Sequence, residues 1–207
     1  MLKVERISVV NMENAIRGAR NPMNSWARMD SYYNEKGEYV LGENDLALAS
    51  KLAAAGSDHR KFLRQIIVSM DITAPLYWWK EFDTYKVGTV ANSCSTMHKL
   101  MHKEFELEDF STEHMNKWTL NITKDAIRQM NYCRNLYLAE KDPERKKDAW
   151  WQVIQLLPTS YNQKRTVMLN YEVLTNIYET RKGHRLDEWK TFLDWIKTLP
   201  YSELITG

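Results

Sequence analysis

The chain has 207 residues, a length that fits one domain and can bury a sizeable core without disulfides or metals. Lysine and arginine number 29 against 27 for aspartate and glutamate, so the net charge of +2 gives no strong overall field and no specific nucleic-acid binding is expected. Seven glycines and five prolines are too few for a disordered chain. Two cysteines and the absence of any apolar run of signal-peptide or membrane-spanning length favour a cytoplasmic protein that does not enter membranes.

The first quarter of the chain mixes strand and helix patterns. Residues 2–10 alternate apolar and polar side chains, which predicts a strand, and Asn11 stands where the N-cap of a short helix would stand. Residues 23–43 are rich in turn formers and predict a loop with a weak hairpin. Asn44 is expected to cap the next helix, and Gly56 to end it.

A buried strand and a small-sided loop follow. Residues 66–73 form a continuous β-branched run, typical of a buried strand, and Ala74-Pro75 ends it before an aromatic helix. Residues 84–96 are small, polar and contain Gly, unlike either flank, which predicts a binding loop. The hydroxyl and amide side chains of this loop could bind a ligand through hydrogen bonds. These side chains are Thr89, Asn92, Ser93 and Ser95.

Beyond residue 109 the pattern is helical. Ala126, Met130, Cys133 and Tyr137 form one apolar stripe at helical spacing. Asp142-Pro143 places a cap before a proline at the first position of the next helix. Leu157-Pro158 ends that helix, and two more are predicted around residues 174–178 and 186–196. The fold class is therefore α+β and helix-rich, and a single domain over 1–207 is expected.

One predicted helix carries a face that could bind an anion. Asn170, Leu174, Ile177 and Arg181 fall at i, i+4, i+7 and i+11, so they point the same way. Arg181 could present its guanidinium fork to a phosphate or carboxylate. The alternative is an arginine that extends into solvent at a helix C-terminus, where the helix dipole favours it.

Cys94 and a histidine pair are candidates for other chemistry. A thiolate at Cys94 beside Lys86 or Tyr85 could act as a nucleophile, or Cys94 could be a small buried hydrophobe. His98 and His102 stand four residues apart, a spacing that a metal could exploit, but no HExxH motif surrounds them. We therefore expect no metal site.

Two segments resemble a known family. Residues 66–86 are similar to the strand, Ala-Pro break and aromatic helix that lead into the Arg-His-Arg-x7-Ser motif of flavin-dependent thymidylate synthases. The C-terminal signature of that family has Leu-Pro, then Tyr, Thr and an Asn-x-Arg-x3-Asn-x4-Arg helix. The residues that resemble it here are Leu157-Pro158, Tyr161, Thr166, Asn170, Asn176 and Arg181.

The resemblance implies a small, mainly antiparallel sheet in the helix-rich domain and a homotetramer that binds FAD and a pyrimidine nucleotide. The implied reaction is methylation of dUMP or a related substrate, with Cys94 and Ser95 as the catalytic candidates. The residues that it places on the flavin are Asn170, Asn176, His59, Tyr85 and Lys86. Those that it places on the nucleotide are Arg181, Glu81, Thr84 and Thr96. His59 matches only with an insertion and is otherwise a turn residue after a helix end.

The chain departs from the family at charged positions. Thr84-Tyr85-Lys86 replaces Arg-His-Arg, Cys94 replaces Ser, and Thr96 replaces a further Arg. Glu81 replaces a Gln that contacts the nucleotide. Each lost charge-assisted contact would cost about 1.5–3 kcal/mol, so an active site would need compensating cations. The candidates are Lys80, Lys86, Lys99, Lys164 and Arg165.

Two more arginines of the family are also absent, since Glu172 and Ile154 stand in their places. Two functions therefore stay open. One is a flavin-dependent thymidylate synthase-like methyltransferase. The other is a catalytically altered protein that binds or sequesters a nucleotide on the same scaffold.

Overall fold

The computed structural model describes residues 2–97 and 99–207. Contacts between Cα atoms group the chain into two compact units. Unit 1 comprises Met1–Lys3, Ile72–Asp83 and Asn92–Arg165, and unit 2 comprises Val4–Asp71, Thr84–Ala91 and Thr166–Gly207. That the whole chain acts as a single domain stays a prediction.

The helices and strands alternate along the first half, and long helices follow. The strands are β1 (Lys3–Val10), β2 (Tyr32–Tyr33), β3 (Tyr39–Val40), β4 (Ile67–Pro75), β5 (Val90–Ser93) and β6 (Asn162–Asn170). The helices are α1 (Met12–Ala19), α2 (Glu43–Ala54), α3 (Leu76–Phe82), α4 (Lys117–Ala139), α5 (Pro143–Leu156), α6 (Tyr171–Arg181), α7 (Asp187–Ile196) and α8 (Glu203–Thr206). A 3-10 helix, Arg60–Gln65, precedes β4.

The larger sheet has four strands in the order β1-β4-β6-β5. The second sheet is the antiparallel hairpin of β2 and β3, which confirms the hairpin predicted within residues 23–43. The α+β, helix-rich class with a small antiparallel sheet is confirmed. No helix within residues 2–97 and 99–207 is long and apolar enough to cross a bilayer.

Each unit has its own core. In unit 1, α4 lies against α5, and the predicted stripe of α4 is buried at Met130 and Cys133 together with Phe105 and Val153. In unit 2, the buried faces of α6 and α7 supply Leu174, Ile177, Trp189, Phe192 and Ile196, all with exposures of 0%. Burying one large apolar side chain stabilises the folded state by about 1.5–3 kcal/mol. The core of unit 2 holds α6 and α7, which carry residues described below.

The predicted helix boundaries were partly right. Asp142 caps α5 by accepting from the backbone N–H of Arg145 (3.0 Å), and α5 ends before Leu157, as predicted. The N-cap prediction for Asn44 was wrong, because α2 begins at Glu43 with Gly42 at the N-cap. The capping carboxylate comes from outside the helix.

Asp30 supplies that carboxylate. Its side chain accepts from the backbone N–H groups of Asn44 (2.8 Å) and Asp45 (3.0 Å). A carboxylate at this end of a helix satisfies donors that have no partner within the helix. The loop of residues 23–43 is thereby tied to α2.

Candidate functional site

Helix α6 begins at a side-chain cap and carries the predicted binding face. The strand β6 ends at Asn170, whose side-chain oxygen accepts from the backbone N–H of Val173 (3.0 Å) and so starts the helix. Leu174 and Ile177 are fully buried one and two turns later, and Arg181 is the last helical residue. The face predicted from the spacing is therefore anchored in the core and ends in a guanidinium.

Arg181 is held in one orientation by two aromatic residues of unit 2. Its Nε donates to the phenol oxygen of Tyr85 over 2.8 Å, and its guanidinium carbon lies 4.6 Å from the ring centre of Trp189. The Tyr85 oxygen also lies 2.7 Å from Oγ1 of Thr180. Cation–π contact and a hydrogen bond together fix a side chain that would otherwise be mobile. Arg181 is also the basic residue in the last turn of α6, so the anion-binding face and the alternative of an arginine favoured by the helix C-terminus both stay predictions.

A cavity of about 360 Å³ opens beside Arg181, lined by residues of α6, α7 and the segment between them. Four of the lining residues are cations, namely Arg181, Lys182, Lys190 and Lys197, and two are aspartates. One aspartate, Asp194, is paired with Lys197 over 2.8 Å. The other charged lining residues have a net positive charge, which favours an anionic ligand.

Gly88 brings the loop after Tyr85 against the start of α6. Its φ of +77° lies in the left-handed region, and a Cβ placed on it would lie 3.0 Å from Nδ2 of Asn170 and 3.1 Å from Cγ2 of Val173. Glycine is therefore required both by backbone conformation and by space. The close approach places the loop backbone beside the Asn170 amide.

Glu172 lies among cations that the sequence analysis missed. This buried glutamate is ion-paired with Arg64, and its Oε1 lies 3.8 Å from Nε of Arg60. Nη2 of Arg60 also donates to Oδ1 of Asn176 over 3.0 Å. The negative charge of Glu172 is thus compensated within unit 2. Such ion pairs cannot be predicted from the sequence alone, because Arg60 and Arg64 are at least 108 residues away in the chain.

Three other predicted residues of unit 2 lie on its surface. Thr84 and Lys86 flank Tyr85 and are exposed. His59 is exposed at the start of the 3-10 helix, where its backbone N–H donates to the carbonyl of Gly56 over 3.1 Å. This is the geometry of a turn after a helix end.

The remaining predicted residues belong to unit 1. Cys94 follows β5 and is an exposed free thiol, so its interpretation as a buried hydrophobe was wrong. Its backbone N–H donates to the carbonyl of Lys164 (2.9 Å), and its carbonyl accepts from Nε2 of Gln163 (2.8 Å). Ser95 accepts at Oγ from the N–H of Met97 over 3.2 Å. The backbone at Cys94 is therefore fixed in a residue that is exposed.

Thr96 and Glu81 are half-buried residues of the same unit, Thr96 in the turn after Ser95 and Glu81 on α3. The predicted loop of residues 84–96 contains a strand, β5, which the composition of the loop did not indicate. The loop is therefore ordered by pairing over part of its length.

Arg165, one of the candidate compensating cations, already has partners in unit 1. Its Nη1 lies 2.7 Å from Oδ1 of Asp83, and its Nε donates to Oε1 of Gln163 over 2.9 Å. Its guanidinium carbon lies 4.2 Å over the ring of Trp79. Lys80, Lys86 and Lys99 are exposed.

His98 and His102 are the pair whose spacing a metal could exploit. His98 lies outside the described residues. Among residues 2–97 and 99–207, no three His, Cys, Asp or Glu side chains come close enough together to hold a metal ion.

Comparison with known proteins shows the fold. No protein-family model and no curated protein sequence matches the chain. Among solved structures, thymidylate synthase X from Helicobacter pylori with FAD and dUMP matches with a TM-score of 0.68 and 15% identity, over 100% of this chain and 97% of that chain. A second structure, flavin-dependent thymidylate synthase from the same organism complexed with FAD and dUMP, matches with a TM-score of 0.67 and 16% identity, over 99% and 97%. The suspected likeness in fold is therefore confirmed.

Proposed function

We propose that this chain binds FAD and a pyrimidine nucleotide, and that it methylates dUMP or a related nucleotide as a flavin-dependent thymidylate synthase-like enzyme. The observation that carries the proposal is the orientation of Arg181 by Tyr85 and Trp189 at a cavity with an excess of positive charge. A fixed guanidinium pays little conformational entropy when it binds an oxyanion. The full-length match to structures that contain FAD and dUMP supports the same assignment.

The residues at the start of α6 fit a flavin nucleotide. FAD presents carbonyl oxygens, ring nitrogens and phosphates, which need amide and guanidinium donors. The side chains of Asn170, Asn176 and Arg60 supply such donors within unit 2, and Gly88 keeps the facing backbone free of a Cβ. These residues would hold the cofactor.

The reaction divides into a part for the cofactor and a part for the protein. Methylation of a pyrimidine needs a one-carbon donor as well as reducing equivalents. Reduced flavin, when bound, would supply the reducing equivalents, and a separate one-carbon donor would have to supply the methyl carbon. In unit 2, Arg181 would neutralise oxygens of the nucleotide and orient it. In unit 1, Cys94 is an exposed residue with a fixed backbone and stays the candidate nucleophile. By the resemblance we also propose a homotetramer located in the cytoplasm.

A second candidate function is nucleotide binding without turnover. It is favoured by the pairing of the cations that could have replaced the lost arginines. Arg165 is committed to Asp83, and Arg60 and Arg64 share Glu172. Cations that are already neutralised contribute less to the binding of phosphate or to the polarisation of a base.

The test begins with the visible spectrum of the purified protein and a titration with FAD, followed by calorimetric titration with dUMP. Wild type is expected to bind both saturably. Arg181→Ala should weaken dUMP binding by about tenfold or more, because a hydrogen bond to a charged group is lost. Arg185→Ala, at an exposed arginine outside the cavity, is the matched control and should bind as wild type.

The outcomes separate the candidates. Binding of FAD and dUMP with methylation supports the enzyme, and binding of dUMP without methylation supports the second function. A protein that binds neither FAD nor dUMP, or an Arg181→Ala variant with wild-type affinity, would contradict the proposed site.

A further inference from the structure

The β2–β3 hairpin presents two tyrosine rings side by side. Asn34 organises its turn by accepting at Oδ1 from the backbone N–H groups of Lys36 (3.0 Å) and Glu38 (2.9 Å). The register then places Tyr33 directly opposite Tyr39. Their ring centres are 5.1 Å apart and the planes are inclined at 59°, so the two rings form an open corner. Tyr33 is 58% exposed, which leaves its ring available to a ligand.

This corner belongs to a cleft of about 770 Å³ within unit 2, a volume within the range of small-molecule sites. The cleft is lined by three tyrosines, two glutamates and two asparagines, together with aliphatic residues. Not one of the described residues that line it is a lysine, arginine or histidine. Its wall is therefore electron-rich and negatively charged. The polar and aromatic members are Asn11, Glu13, Asn14, Tyr33, Glu38, Tyr39 and Tyr201.

Two of these residues have a backbone conformation that costs free energy. Tyr201 has a φ of +51° and Asn11 a φ of +70°, both in the left-handed region. Asparagine tolerates this region, but a bulky tyrosine is an outlier there. Tyr201 is kept in place because its phenol oxygen accepts from the backbone N–H of Leu41 over 2.7 Å. Strain of this kind concentrates at binding and catalytic sites.

A carboxylate stands next to the aromatic corner. Oε2 of Glu13 accepts a hydrogen bond from the phenol oxygen of Tyr33 over 2.8 Å, so the charge and the ring are fixed relative to each other. Both residues are exposed, and the carboxylate keeps further lone pairs for a ligand.

We propose that this cleft binds an organic ammonium compound, with its cationic head against the rings of Tyr33 and Tyr39 and its charge balanced by Glu13. A cation is attracted to the negative faces of aromatic rings, and a corner of two rings offers two such faces. An anion would meet uncompensated carboxylates. A bare metal ion would need several oxygen ligands, and no group of three metal-ligating side chains was found within residues 2–97 and 99–207.

The test uses a matched pair of small probes on the full chain. Choline and its uncharged analogue 3,3-dimethylbutan-1-ol have nearly the same shape and differ in charge. In ligand-observed NMR titrations, choline is expected to bind saturably and the neutral alcohol to bind at least about three-fold more weakly, the lower end of a cation–π contribution. Equal binding of the two probes, or no binding of choline, would overturn the proposal.

Variants of the hairpin locate the site. Tyr33→Leu should weaken choline binding by about three- to thirty-fold, because an apolar residue remains but a ring face is lost. Tyr32→Leu is the control, since Tyr32 is equally exposed on the same hairpin but does not line the cleft. Loss of affinity in both variants, or in neither, would contradict the assignment.

Glu13→Gln provides a second route if the hairpin variant does not fold. It should weaken choline binding and leave binding of the neutral alcohol unchanged, and an unchanged affinity for choline would contradict the role of the carboxylate. The choline affinity of Arg181→Ala should equal that of wild type, because Arg181 does not line this cleft. The ammonium site can therefore stand or fall separately from the proposed function.

Discussion

Nε of Arg181 donates to the phenol oxygen of Tyr85, 96 positions earlier in the chain, over 2.8 Å. Tyr85 is the middle residue of Thr84-Tyr85-Lys86, which stands where the family that the sequence resembles has Arg-His-Arg. The triplet carries one cation, Lys86, and its middle residue orients a second cation, Arg181. This relationship gives Tyr85 a positioning role that can be measured.

Tyr85→Phe should reduce the free energy of unfolding by about 1 kcal/mol, because the ring stays and one hydrogen-bonding oxygen is lost. The dUMP affinity should fall several-fold, since the guanidinium loses one of the contacts that orient it. Denaturant unfolding and calorimetric titration measure the two effects. Thr180→Val removes the contact of Thr180 with Tyr85 and the hydrogen bonds of its hydroxyl to the carbonyls of Asn176 and Ile177, but it leaves the bond from Arg181 to Tyr85 and should keep the affinity for dUMP. Wild-type affinity in Tyr85→Phe would show that Arg181 is oriented by other contacts.

Gly88 offers a test of the loop that faces α6. Gly88→Ala must place a Cβ against Asn170 and Val173 at a φ of +77°, whereas Gly37→Ala has nearly the same φ, +75°, with no atom within 4 Å. The control should cost about 1–2 kcal/mol in unfolding free energy from the backbone alone. Gly88→Ala should cost at least about 1 kcal/mol more, because its neighbours must move. Equal costs would mean that the loop does not approach α6 as described.

The Asp45 carboxylate makes the free energy of unfolding depend on pH in the acid range. Burial raises the pKa of its carboxyl, but hydrogen bonds from the Ser31 hydroxyl, Arg20 and the backbone N–H groups of Ser31 and Asp30 outweigh burial and hold the pKa below its ordinary value of 3.8. The folded state therefore resists protonation of Asp45 more than the unfolded state does. The ionised carboxylate thus contributes to the free energy of unfolding above about pH 4, and this stabilisation is lost as the pH falls below that value.

Asp45→Asn should therefore lower the free energy of unfolding by about 3 kcal/mol at pH 7, since one partner of a buried ion pair is removed. The difference from wild type should narrow progressively below about pH 4. Urea unfolding at several pH values measures it. Asp194→Asn, at an exposed ion pair with Lys197, is the control and should change stability little at any pH. A difference that stays constant from pH 7 to pH 3 would contradict the role given to the carboxylate.

The two cysteines should differ in reactivity. Cys94 is exposed and Cys133 is buried, so one thiol should react rapidly with a disulfide reagent in the native protein and the second only after unfolding. Cys94→Ser should remove the rapid phase and, if methylation is observed, abolish turnover while leaving FAD and dUMP binding intact. Cys133→Ala should retain the rapid phase. An unchanged turnover rate in Cys94→Ser would assign Cys94 to the structure of the loop alone.

Local patterns predicted much of the fold. The strand over residues 2–10, the helix beginning at Leu76 and the cap at Asp142 are encoded by neighbouring residues and were found where expected. The strand β6 was missed because its buried positions include Gln163, a polar residue whose amide nitrogen donates to the carbonyl of Cys94, 69 residues away. Periodicity cannot report a partner at such a separation.

In the candidate site, too, local features were predicted from the sequence and tertiary contacts were not. The spacing of α6 predicted that Arg181 shares a face with Leu174 and Ile177, which is a local property. The contacts of Arg181 with Tyr85 and Trp189 and the pairing of Glu172 with Arg60 and Arg64 depend on tertiary structure. A sequence pattern could indicate which residues carry charge but not which of those charges are neutralised.

The pairing of Glu172 couples three positions of unit 2 energetically. Glu172→Arg alone would bring a third guanidinium against Arg60 and Arg64 and leave all three without the shared carboxylate. A charge reversal at position 172 therefore becomes less costly when position 60 or 64 changes with it. The effects of substitutions at 60, 64 and 172 are expected to be non-additive, so the three charges behave as one unit.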